Sequence, residues 1–438
     1  MLDLKNIAMD ILQQAMNEVS GEALISSKII LNNDVLQINE KKINLSQFKR
    51  IFVIGAGKAS ASMARGLEAK IGEFITEGVV IVKDNHYIKC KRIKILEGAH
   101  PVIDERAFKN SGEVLRICEK ANKNDLIICL ISGGGSALLE KLPKEISLKD
   151  VQTLTEVLLK SGAGIQEVNT VRKKISFVKG GGLARAAFPA TLISLIISDV
   201  IGDRIDIISS GPTARDYSTF KAALAVLEKY EIGNKVPKPV FDYLTNSQER
   251  KADLEKGKKV FEKVSNIVLG SNKAALIKAK KVAEGYGFDT EIIGEDFAGS
   301  IKELADLFFD KIKYELCKKD RKKQIKCFLA GGEPVLKVEG FGKGGRNQHL
   351  VLEVLQKLKV AHREFFFCSI GTDGTDGPTD AAGAFINYNT LTIVEQKKLN
   401  IENYLKNCDS YNFFKQAESL IKTGPSGTNV MDIAITLV

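Results

Sequence analysis

The sequence predicts a two-domain α/β protein built on a mostly parallel sheet. Three observations predict it. Short apolar strands repeatedly run into glycine-rich turns, helical periods open directly after those turns, and the chain has 438 residues. That length exceeds what one core organises, at about 100–200 residues per domain. Strand and helix signals that alternate in this way indicate parallel strands covered by helices on both faces.

Leu4, Ile7, Ile11 and Leu12 fall at helical spacing and predict an amphipathic first helix. No basic stretch precedes an apolar one there, so a signal peptide is not expected. Ile51–Ile54 reads as a strand, with a glycine turn and a helix from Ala59 after it. GVVIVK and Lys94–Leu96 are the next strands, and Asp104–Lys120 the next helix. Leu126–Ser132 is a continuous apolar run, the mark of a strand buried on both faces, and Thr191–Ser198 is another. Residues 235–262 turn polar and charged and read as a helical segment and connection. A second series then starts at NIVLGSNKAALIK and continues through FDTEII, a helix over Ser300–Lys319 and CFLAGGEP. A helix near Gly345, the strand before GTDGTDGPTDAAGA and two closing helices complete it. The domains are expected at 1–240 and 260–438.

Composition narrows the function. Apolar residues at 44% and charged residues at 27% describe a globular protein rather than a disordered one. The net charge of +10 fits either a nucleic-acid binder or an enzyme of anionic substrates. The basic residues are dispersed, tryptophan is absent and aromatics reach only 7%, so base-stacking platforms are not expected. The seven cysteines are scattered and never form CxxC, which argues for a reducing compartment, hence the cytoplasm, and against zinc. No apolar run approaches the roughly 20 residues that span a bilayer.

The chemistry concentrates in the glycine turns. At the carboxyl edge of a parallel sheet, free backbone N–H groups and helix dipoles converge on anions. GAGKAS places Gly55, Gly57 and Lys58 after the first strand, but Ser60 stands where a dinucleotide fingerprint has its third glycine. Close packing of helix on strand and phosphate binding both remain open for the glycines. Lys58 is awkward at the positive end of a helix, where a lysine suits a phosphate or carboxylate. Ser132, Gly133, Gly134, Gly135 and Ser136 form the more specific signal, because three glycines in a row invite close approach to the backbone and make an anion nest. Lys179 and Gly180 open a second glycine triplet near Arg172, either another oxyanion environment or a flexible connection.

Asp199 and Asp203 follow the Thr191–Ser198 strand, and Asp373, Asp376 and Asp380 follow another. Magnesium takes one or two protein carboxylates beside phosphate and water, so at most two of these five are ligands and the rest form turns. GKGGRNQ sets Lys343 and Arg346 against a helix dipole, a placement that suits an arginine aimed at a phosphoryl group. His100 either caps the helix at Asp104 or meets substrate. His86, His349 and His362 have no supporting context, and no GxSxG elbow occurs.

In order, GAGKAS, GAHPVIDE, LISGGGSALL, VNTVRKKIS with KGGGLA, SDVIGD, SSGPT, AGGEP, GKGGRNQ, GTDGTDGPTDAAGA and TGPSGTNVMDI resemble the class II glycerate 2-kinase (MOFRL) family over about residues 5–435. The resemblance implies a larger Rossmann-like N-terminal domain, a smaller α/β C-terminal domain and an active site in the cleft between them. It implies ATP and Mg2+, and transfer of phosphate to the 2-hydroxyl of D-glycerate. The family's catalytic lysine falls on Lys58 and its catalytic arginine on Arg346. ATP phosphates are then expected on the Ser132–Ser136 nest, with Lys179 and Gly180 adding phosphate contacts. Mg2+ is expected on Asp199 and Asp203, with Asp199 also the candidate base. His100, Arg172 and Asp373 are candidates for substrate contact, and the protein is expected as a monomer or homodimer. Gly182 stands where many members of the family carry a basic residue, and SGPTARD replaces a more proline-rich stretch, which leaves Arg215 unexplained. A hydroxypyruvate reductase using NAD(P)H, or a kinase of another hydroxy acid, is the alternative.

Overall fold

The computed structural model describes residues 3–247, 258–318, 324–358 and 364–438. The chain divides into two compact units, Gly21–Leu269 and Met1–Ser20 with Gly270–Val438.

The Gly21–Leu269 unit opens with a helix, Gly21–Lys28, and a small antiparallel meander of β1 (Ile29–Asn32), β2 (Val35–Ile38) and β3 (Lys41–Asn44). None of these three short strands is foreseen by the sequence reading. The main sheet follows: β4 (Arg50–Ala56), β5 (Ile75–Lys83), β6 (Ile93–Gly98), β7 (Asp125–Ile131), β8 (Thr191–Ile197) and β9 (Val264–Gly270). Its order is β6-β5-β4-β7-β8-β9. The pairs β5–β6, β4–β5, β4–β7 and β7–β8 are parallel. Counted by appearance the order is 3-2-1-4-5-6, the doubly wound arrangement, so the winding reverses between β4 and β7. All of β7 is buried, as its unbroken apolar run requires when helices cover both faces. Phe52, Ile54, Ile81, Ile127 and Cys129 pack with Val114 and Ile117 of the helix Glu105–Lys120, which Asp104 caps by accepting from Arg106 N–H. β9, read from the sequence as opening the second series, forms the edge of this sheet. Val240 and Leu244 of the helix Lys238–Asn246 are fully buried against the helices Leu148–Lys160 and Phe220–Lys229, so the polar stretch still carries one core face.

The other unit joins the helix Leu4–Glu18 to a mixed sheet. Its strands are β10 (Asp289–Phe297), β11 (Lys326–Gly332), β12 (Phe366–Gly371), β13 (Gly383–Asn387), β14 (Leu420–Ile421) and β15 (Asp432–Leu437), in the order β10-β11-β15-β12-β13-β14. Only β10–β11 is parallel; the pairs from β11 to β14 are antiparallel. Phe308 and Ile312 of the helix Ile301–Cys317 and Leu350, Val354 and Leu355 of the helix Arg346–Lys357 pack on Phe328, Phe367 and Ala434. Three closing helices stand where two were expected: Tyr388–Gln396, Ile401–Lys406 and Ser410–Gln416. Lys319 and His362 lie outside the described residues. No helix among the described residues is long and apolar enough to cross a membrane.

Candidate active site

At the reversal of winding the turn after β4 is tied to β5 and to the turn after β7. Lys58 N–H donates to Gly133 O at 2.9 Å, Gly57 N–H to Ile81 O at 3.0 Å, and Ala59 N–H to Ser132 Oγ at 2.9 Å. Gly57 sits at φ +143°, where a Cβ would run into Ser132, so only glycine allows this approach. Gly55 is a packing glycine inside β4, its Cα face against the Leu130 carbonyl of β7. Gly134, at φ +85°, lies so close that a Cβ there would be 3.1 Å from the His100 ring and 3.3 Å from Lys58 Cγ. Lys58, His100 and Gly134 are therefore brought together, with Lys58 and His100 half-buried. Among the described residues the N–H groups of Gly133, Gly134, Gly135 and Ser136 make no backbone hydrogen bond, which is the donor array of an anion nest.

Behind the nest, hydroxyls hold its shape. Ser209 Oγ donates to Ser132 O at 2.8 Å, Ser136 and Ser210 hydroxyls meet at 2.7 Å, and Ser210 Oγ reaches Asn169 Oδ1 at 3.3 Å. Ser209 and Ser210 both have positive φ, 51° and 61°, a conformation that costs non-glycine residues about 1–2 kcal/mol each. Arg172 donates from Nη2 to Ser136 O at 3.3 Å, and burial lowers its pKa. Arg172 thus supports the loop from behind. Lys179 is only 1% exposed; its ammonium pairs with Glu140 at 2.5 Å and donates to Leu139 O at 3.1 Å. Burial brings it down to about 8, partly offset by Glu140. Gly180, at φ +53°, backs onto Asp216, which Lys174 meets at 3.1 Å. A Cβ on Gly182 would collide with the Phe177 carbonyl, which explains why no longer side chain stands there.

Asp199 and Asp203 lie half-buried in the turn after β8, Asp203 at φ +51°. Among the described residues no group of three or more His, Cys, Asp or Glu side chains could hold a metal ion. Two carboxylates suit Mg2+ only when phosphate and water complete its shell, the ordinary case for a nucleotide-borne ion.

In the second unit Arg346 begins its helix and is clamped on both sides. Nε and Nη2 donate to Asp432 at 2.5 and 3.1 Å, and Nη1 to Glu333 at 2.6 Å. Burial opposes the guanidinium's charge, yet Asp432 and Glu333 raise its pKa above the ordinary value. Asp376 caps the same helix, accepting from Asn347 N–H at 3.0 Å and Gln348 N–H at 2.8 Å. Burial pushes its carboxyl up to about 6 against those donors. The Lys343 ammonium sits 4.5 Å from the Tyr411 ring centre. Both cations that oppose the dipole in the sequence are thus compensated. Asp373 accepts from Thr375 N–H at 2.9 Å and its hydroxyl at 3.0 Å, holding its own turn.

Sequence reasoning passed over Asp432, Glu333, Ser209, Ser210 and Glu140 as individual residues. AGGEP and SSGPT contained some of them, but only distant contacts reveal their work.

Residues 7–245 match the family model described as a domain of unknown function (DUF4147), and residues 326–432 match the MOFRL family. The chain is 38% identical to a D-glycerate 2-kinase of Thermotoga maritima, covering 99% of this chain and 98% of that one. It is 37% identical to a glycerate 2-kinase of Pyrococcus horikoshii, covering 100% and 98%. The crystal structure of a Thermotoga maritima glycerate kinase superposes with a TM-score of 0.83 at 35% identity, covering 99% of each chain. With its doubly wound sheet, its glycine nest beside Lys58 and this full-length likeness, the chain belongs to the glycerate 2-kinase family.

Proposed function

We propose that the chain transfers the γ-phosphoryl group of ATP to the 2-hydroxyl of D-glycerate, giving 2-phosphoglycerate and ADP. The observation that carries this reading is the convergence of Lys58, His100 and the N–H groups of Gly133–Ser136 at the reversal between β4 and β7. Ligands of doubly wound sheets bind at that edge, and backbone N–H arrays suit phosphate. In the transfer the glycerate 2-oxygen forms its bond to γ-phosphorus, the bridging oxygen leaves with ADP, and the hydroxyl proton is released. Such transfers depend on positioning and on charge held near the phosphoryl oxygens. Lys58 and Arg346 supply that charge, with Arg346 held in plane by Asp432 and Glu333. Asp199 and Asp203 would hold the Mg2+ that arrives with ATP, and Asp199 is the candidate for receiving the hydroxyl proton. His100, next to Lys58, is the candidate contact for the glycerate carboxylate. Lys179 and Arg172 act from behind the loop. The seven cysteines are free thiols, which supports a cytoplasmic setting.

The purified chain with MgATP and D-glycerate tests this, by ADP release and NMR identification of the product. 2-Phosphoglycerate is expected. 3-Phosphoglycerate would overturn the regiochemistry, and absence of ADP release together with NADH oxidation by hydroxypyruvate would overturn the kinase reading.

A further inference from the structure

The C-terminal unit carries a cavity of about 670 Å³. It is bounded by the start of the helix Ile301–Cys317, the segment Val335–Glu339, the helix Arg346–Lys357 and the helix Ile401–Lys406. Its floor comes from one helix face. His349, Glu353 and Gln356 line it at spacings of four and three, so they stack on one side of the helix.

The polar groups of this floor are left incomplete by the protein. His349 is only 7% exposed, and its Nδ1 has no hydrogen-bond partner among the described residues. Its Nε2 stands 3.8 Å from Glu353 Oε1, too far for a strong bond. A buried nitrogen left without a partner costs about 1–3 kcal/mol. Burial keeps the imidazole neutral, its pKa pushed down to about 4, so it adds no second cation to the cavity beside Lys302. Burial also raises the Glu353 carboxyl, and a cationic ligand group beside it would oppose that shift.

The remaining charges sort themselves. Lys337 pairs with Glu339 at 2.8 Å, and Lys406 with Glu402 at 2.8 Å. Among the described residues Lys302 forms no ion pair, and it reaches the cavity from the first turn of its helix. One ammonium without an ion pair therefore faces the same space as one buried carboxyl beside a neutral imidazole. Leu336 and Leu405 supply apolar wall between them. A ligand that satisfies all three features has a negative group, a positive group and a hydrocarbon part.

We propose that this cavity is a binding site for a free α-amino acid with an aliphatic side chain. Its ammonium group donates to Glu353, its carboxylate meets Lys302, and its side chain lies on Leu336 and Leu405. Binding here does not depend on the kinase reading, and the test uses no turnover.

Isothermal titration of the full chain with L-leucine, without ATP or glycerate, is the experiment. Saturable binding is expected, weakened at least about tenfold when the probe is 4-methylpentanoate or 3-methylbutylamine, each of which lacks one charge. Lys302→Met, at an exposed position that does not burden the fold, and Glu353→Gln are each expected to weaken L-leucine by about tenfold or more. No saturable binding up to about 10 mM L-leucine would overturn the proposal. So would binding unchanged in both variants, or equal binding of either singly charged probe.

Discussion

Arg346 forks onto the buried carboxylate of Asp432, Nε to Oδ2 at 2.5 Å and Nη2 to Oδ1 at 3.1 Å, while Glu333 holds Nη1. Two parallel bonds fix the plane of a guanidinium as well as its position. Asp432→Asn keeps the shape but loses the charge and one acceptor. Its kcat for ADP release should fall about tenfold or more, with a smaller change in glycerate KM, because orientation rather than binding is lost. Steady-state kinetics beside a thermal melt distinguish this from unfolding.

Lys58 is half-buried, and its backbone N–H ties the two turns together. Lys58→Ala preserves that hydrogen bond. Turnover should drop about 10²- to 10³-fold with the melting temperature nearly unchanged, as expected when a charge aimed at a transition state is removed. Near-normal turnover would take Lys58 out of the mechanism.

Gly134→Ala tests how closely the nest approaches its neighbours. The residue sits at φ +85°, which costs an alanine about 1–2 kcal/mol. The added methyl would lie 3.3 Å from Lys58 Cγ and 3.1 Å from the His100 ring. Displacing those side chains should lower kcat/KM by about 10²-fold, more than the stability loss alone explains. Activity at a temperature where circular dichroism shows the variant folded is the check.

The buried Lys179–Glu140 pair gives a stability prediction. Lys179→Met leaves Glu140 uncompensated in the core and should cost about 3–5 kcal/mol in urea unfolding. Pairing it with Glu140→Leu should recover much of that loss. The ATP KM of the folded double variant should change less than about threefold, and a larger rise would restore Lys179 to phosphate binding.

His349 makes the fold acid-sensitive. Its folded pKa of about 4 lies below the unfolded value of about 6.5. Above the unfolded value both states are neutral and nothing is lost. As pH falls from about 6.5 to about 4, the unfolded chain takes up a proton that the native imidazole refuses, removing up to ~3 kcal/mol. Urea midpoints at about pH 7 and pH 4.5 should diverge less in His349→Gln.

Much of the N-terminal sheet is legible in the sequence because β4, β7 and β8 are largely apolar runs, the first two ending in glycine turns. The Ser132–Ser136 turn and Lys58 could be picked out for the same reason: a glycine triplet and a misplaced cation are local signals. β15 was missed because six residues after a glycine-rich loop give no local clue that they will occupy the centre of a sheet. The partner of Arg346 was equally hidden, since Asp432 lies 86 residues further on. Lys179 looks like a phosphate ligand beside its glycines, and only the fold brings Glu140, 39 residues away, to neutralise it. Helical spacing showed that Leu4–Glu18 buries a face, but periodicity does not say which core receives it.

That helix has a consequence for synthesis. Residues before Gly21 belong with those after Leu269: Thr428 donates to the Val19 carbonyl at 2.5 Å, and Tyr286 to Asp10 at 2.7 Å. On a ribosome the continuous Gly21–Leu269 stretch can close as soon as it emerges, whereas the helix made before it must wait, its apolar side uncovered, until the residues after Leu269 follow. Domains made in order fold in order, and a segment stranded in this way is where a chaperone finds its first hold.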